Sequence, residues 1–76
     1  MVAILSHIPE PAVFEPAAIA AMARAFDETC TALHVFAGDP RGREAVAARI
    51  IDLARDGVID ATALRERVLR EARVAA

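Results

Sequence analysis

The sequence predicts an all-α fold: a three-helix bundle-like domain behind an extended N-terminal arm. Three observations carry this. Apolar residues recur at helical spacing in three separate blocks. A proline or an aspartate stands where each block begins, and Gly38 and Gly57 stand where the first two end. Alanine, the best helix former, supplies 19 of the 76 residues. The reading gives helices over about 16–37, 40–56 and 61–75, an arm over 1–13, and a single domain over 14–76.

The arm comes first. Val2, Ile4 and Ile8 are β-branched, and Pro9 and Pro11 forbid a helix across them. An apolar arm must pack somewhere, over its own helices or over a second subunit.

The first helix begins at Pro16, where a missing N–H costs nothing. Glu15 stands at the cap, its carboxylate facing the positive end of the helix dipole. Phe14 and Ile19 have the spacing of a hydrophobic staple. The stripe runs Ile19, Met22, Ala23, Phe26, Cys30, Leu33, Phe36, Ala37 and stops near Gly38.

Asp39 and Pro40 open the second helix as cap and first residue. Gly42 softens that turn and draws the expected start toward Arg43. Its stripe is Val46, Ala47, Ile50, Leu53, Ala54, widened by Ile51. So wide a stripe suits a middle helix touched on two sides.

Gly57 can take the left-handed conformation that ends a helix. Val58 beyond it is placed to meet Leu53, as in a Schellman stop. Asp60 then caps the third helix, with Ile59 and Leu64 spaced as another staple. Ala61, Leu64, Val68, Ala72 and Ala75 face inward, with Leu69 on the flank. Glu66 and Arg70 stand in the favourable i,i+4 order.

Phe14 to Pro16, Ala25 to Asp27, Ala48 to Gly57, and Asp60 with Leu64 and Arg65 together resemble a group of small uncharacterised alphaproteobacterial helical proteins. The likeness covers about residues 14–72. Its motifs are caps, stops and stripe positions, so it implies a fold pattern and no activity. The arm lies outside it.

Composition narrows the function classes. Net charge is −2, and all nine cations are arginine. An acidic balance does not favour nucleic acid or an anionic membrane as partner. Residues 1–40 hold one arginine against five acids, and residues 41–76 eight against six. That asymmetry could help antiparallel association. Heavy use of Ala, Arg, Val and Asp points to a GC-rich bacterial genome. Met1 to Leu5 is apolar but lacks the basic start of a signal peptide, and no run reaches the length of a membrane span. A cytoplasmic protein with Cys30 reduced is expected.

Four groups of residues could carry function. Asp27, Cys30 and His34 fall along one side of the first helix, and His7 could complete a zinc site. Against this, Cys30 lies in the apolar stripe and there is no second cysteine, so neither a metal nor any other cofactor is expected. A reactive thiolate needs an electropositive, accessible setting, and Asp27 beside Cys30 works against one. With two histidines and no nucleophile–base framework, the chain does not read as an enzyme. Arg65, Arg67, Arg70 and Arg73 invite a helix-turn-helix DNA-binding reading, but they scatter around the third helix among Glu66 and Glu71 instead of forming a basic stripe. Val2, Ile4, Leu5, Ile8, Val35, Ile51 and Leu69 are apolar residues off or beside the stripes. They point to a non-catalytic protein-interaction or regulatory module, a homodimer or the seat of another protein.

Overall fold

The computed structural model describes residues 4, 7, 8, 14–36 and 38–75, the side chains of Val74 and Ala75 excepted. Those residues hold α1 (Pro16–Ala32), α2 (Pro40–Arg55) and α3 (Ala61–Ala75), with no strand among them. Each helix packs on the other two. The bundle measures 33 × 23 × 16 Å.

The starts of the helices follow the capping chemistry. Pro16 and Pro40 take first positions. Asp39 accepts a hydrogen bond from the Gly42 amide at 3.0 Å, and Asp60 from the Ala63 amide at 3.0 Å. Glu15 occupies the cap of α1 in extended conformation but makes no side-chain cap bond.

α2 begins at Pro40, as the Asp39–Pro40 start predicts, and Gly42 does not delay it. A Cβ at Gly42 would lie 2.9 Å from Val35 Cγ1 and against the capping carboxylate of Asp39. The glycine lets the first turn of α2 approach the chain leaving α1.

α1 ends five residues short of Ala37. The stop is a Schellman turn at Leu33–Val35. Val35 N–H donates to Cys30 O at 2.8 Å and His34 N–H to Thr31 O at 3.2 Å. His34 sits in the left-handed region, φ 57°. Phe36, expected on the inward stripe, is therefore past the helix and 57% exposed. α2 ends at Arg55, one residue before Asp56, by the same device. Val58 N–H reaches Leu53 O at 3.0 Å and Gly57 N–H reaches Ala54 O at 3.0 Å, with Gly57 at φ 100°.

The core runs through all three helices. Met22, Ala25 and Phe26 of α1 are sealed, as are Ala47 and Ile50 of α2 and Leu64 of α3. Around them lie Cys30, Val46, Leu53, Ala54 and Val68. Thr29 is also fully buried, and its hydroxyl finds no partner among the described residues. Ile59 does not close the expected staple: Leu64 is sealed while Ile59 stays 56% exposed.

Charged side chains tie the helices outside this core. Arg49 grips Glu71 with two parallel bonds, at 2.6 and 2.9 Å, joining α2 to α3. Arg65 bonds Glu28, joining α3 to α1. Glu66 turns to Arg65 at 3.3 Å instead of to Arg70.

Candidate functional site

The zinc ligands that the sequence suggested part company for a geometric reason. An i,i+4 pair meets only on a continuing helix, and α1 stops before His34. His34 is exposed beyond the stop, its ring edge-on to Phe36 at 6.2 Å. Cys30 is buried in the core, and burial pushes its thiol upward. Asp27 is exposed on α1. His7 lies instead on Phe26, ring centroids 5.8 Å apart, and the Arg43 guanidinium stands 4.8 Å from the same ring. Among the described residues no three His, Cys, Asp or Glu side chains gather as metal ligands.

The arginines of α3 divide into two kinds. Arg65 and Arg67 are occupied by carboxylates, Arg65 by Glu28 and Glu66, Arg67 by Glu71 at 3.5 Å. Arg70 and Arg73 are exposed. Arg65 and Arg67 lie on different sides of α3, and a phosphate approaching either would have to displace a carboxylate.

The residues read as an interaction surface are mostly claimed by the chain itself. Ile4 is fully buried, Ile8 and Ile51 join the same core cluster, and Leu69 is buried too. These four correct the expectation of leftover apolar surface. The arm isoleucines fill the bundle in cis, and Ile51 and Leu69 lie on helix faces wide enough to reach it. Val35 is half-buried against the core. Val2 and Leu5 lie outside the described residues.

Three open grooves stand out among the described residues. A groove of about 540 Å³ between α1 and α3 is lined by Asp27, Glu28, Arg65 and Glu66 with Leu69 beneath. Within it Arg65 pairs with Glu28 and Glu66. The Arg24 and Arg65 guanidiniums bonded to Glu28 hold that carboxyl below its ordinary value.

The other two grooves lie at opposite ends of the bundle. One, of about 350 Å³, is formed by Phe14, Ala18, Ala54 and Ile59, with Glu15 and Arg55 at its edge. The other, of about 370 Å³, lies where the end of α1, the start of α2 and the end of α3 converge. Leu33, Val35, Val46, Val68 and Ala72 make its walls, and the Arg49–Glu71 pair borders it. Phe36 follows its wall residue Val35 directly. Sequence periodicity hid this feature, because Phe36 continues the α1 stripe in register. Only the left-handed turn at His34 takes it off the core.

Among the described residues no helix is long and apolar enough to cross a membrane. Compared with known proteins, the chain matches no family model, no curated protein and no solved structure.

Proposed function

We propose that this chain is a small, non-catalytic protein-interaction or regulatory module that works as a homodimer in the cytoplasm. The observation supporting this reading is where apolar surface is left over. The arm isoleucines, Ile51 and Leu69 go into the chain's own core, yet Phe36 and Ile59 stand 57% and 56% exposed beside apolar grooves. Large apolar side chains kept in water beside such grooves mark contact surfaces. Two-fold pairing is the commonest way to cover them.

The size of the chain sets the strength. It exposes 4866 Å² in all. A standard interface takes about 800 Å² per partner, roughly a sixth of that surface. One end of so narrow a bundle offers less, so the dimer should be weak and concentration-dependent. A single buried thiol with no disulfide partner accords with a reducing compartment.

Sedimentation equilibrium from micromolar to millimolar protein tests the reading. The mass should climb from 8.1 kDa toward twice that value. A mass fixed at the monomer value throughout that range ends the homodimer reading. Fractionation of the host cell checks the compartment.

A further inference from the structure

We propose that the cleft where α1, α2 and α3 converge receives an acidic segment of a partner protein, one that carries a large apolar side chain between carboxylates. This rests on the interaction-module reading above and does not depend on self-association.

The walls call for an apolar anchor. Leu33, Val35, Val46, Val68 and Ala72 line the cleft, and covering such surface drives association. At about 370 Å³ it takes one leucine or aromatic side chain with the backbone that carries it.

The charge around those walls selects carboxylates. Arg49 lines the cleft, and Arg41, Arg43, Arg67, Arg70 and Arg73 each adjoin a lining residue in the chain, so six of the nine arginines gather here. Four acids stand against them: Glu71 in the lining, Glu44 beside it, Asp39 bonded to the Gly42 amide, and Asp52 at 4.0 Å from Arg49. The cleft thus carries a surplus of two positive charges in a chain whose net charge is −2. At its rim two guanidiniums, Arg49 and Arg67, converge on the one Glu71 carboxylate, at 2.6 and 3.5 Å. Arg41, Arg70 and Arg73 are exposed and make no ion pair among the described residues. Arg65 would have to give up Glu28 to bind another anion; these three can take an incoming carboxylate without breaking a pair.

Guanidinium binds phosphate as readily as carboxylate, and the walls decide between them. A nucleic-acid backbone presents phosphate and sugar, which gain nothing from aliphatic walls. A peptide segment presents anchor and charge together, and complementary charge guides it to the cleft.

The test selects short random peptides displayed on phage against the wild-type chain, then titrates the best binder. Enriched sequences should hold a leucine or aromatic residue with Asp or Glu on both sides. Ala45→Trp, which obstructs the cleft from an exposed lining position, should abolish binding of the selected peptide. Arg41→Gln combined with Arg73→Gln should raise its Kd by roughly three- to tenfold, since each exposed pair contributes up to about fivefold. Arg24→Gln and Arg55→Gln, away from the cleft, should leave Kd unchanged. Circular dichroism melting confirms that each variant folds, and duplex DNA should not displace the peptide. No enrichment, enriched sequences that are neutral or basic, binding that survives Ala45→Trp, or displacement by duplex DNA overturns the proposal. Sedimentation of the wild-type chain decides the homodimer separately, so either reading can fail while the other stands.

Discussion

His34 and Gly57 hold the same station in two successive helix stops. Each is the left-handed residue of a Schellman turn, at φ 57° and 100°. Each precedes a valine whose amide closes the 6→1 bond, Val35 to Cys30 and Val58 to Leu53. Glycine occupies the station without steric penalty; histidine does not.

The two positions should therefore respond oppositely. Gly57→Ala puts a Cβ in an unfavourable conformation and should destabilise the fold by about 1–2 kcal/mol. His34→Gly relieves that strain but adds backbone freedom to the unfolded chain, leaving a net gain of about 0.5 kcal/mol. Urea unfolding of the two variants measures both. A destabilised His34→Gly would show that the ring's contact with Phe36 outweighs the strain.

Thr29 presents a different imperfection. Its hydroxyl is sealed in the core with no partner among the described residues, and an unmet buried polar group costs stability. Valine has nearly the same shape. Thr29→Val should raise stability by about 1 kcal/mol, while Thr29→Ala, which also removes a methyl, should gain less or lose. Thermal melts of both decide it. If Thr29→Val melts lower, the hydroxyl has a hydrogen-bond partner in solution.

Acid should weaken the links between helices. Arg24 and Arg65 hold Glu28, and Arg49 holds Glu71, below the ordinary carboxyl value of 4.5. Their folded values lie lower than their unfolded ones. The stability they contribute is thus present above pH 4.5 and fades as pH falls through the folded values. Both groups are partly exposed, so the effect is modest and shrinks in salt. Stability measured from pH 6 down to pH 3, a range about the ordinary carboxyl values, should slope less in Glu28→Gln and Glu71→Gln than in wild type. Parallel slopes would mean that these pairs do not persist in solution.

The same residues explain what could be read without a structure. Caps at Asp39 and Asp60, proline starts and the Gly57 stop announce themselves, because each is a local match between residue type and backbone geometry. The stop at His34 does not, because histidine seldom takes the left-handed station and the apolar period runs on through Phe36. That one unmarked turn hid the exposed phenylalanine and separated His34 from Cys30. Gly42 misleads in the other direction. It looks like a weak point in α2, yet its missing side chain admits Val35. The destination of the arm, like the inward reach of Ile51 and Leu69, depends on helix placement, which no local pattern encodes.

The arm gives the sharpest test of that placement. Ile4 is fully buried among the helices and Ile8 nearly so, while His7 lies on Phe26. Removing a sealed isoleucine beyond Cβ leaves a cavity, so Ile4→Ala should destabilise the fold by about 2–4 kcal/mol. In a domain of this size the melting temperature then drops by roughly 10 °C or more. Packing in cis makes a further demand. The difference between wild type and Ile4→Ala must be the same at low and high protein concentration, since the lost contact is within one chain. An arm docked on a second subunit would give a difference that grows with concentration, because association then adds its own stabilisation. A series of melts across concentration separates the two. A concentration-dependent difference would move Ile4 into the interface and leave the bundle of each chain short of a core residue.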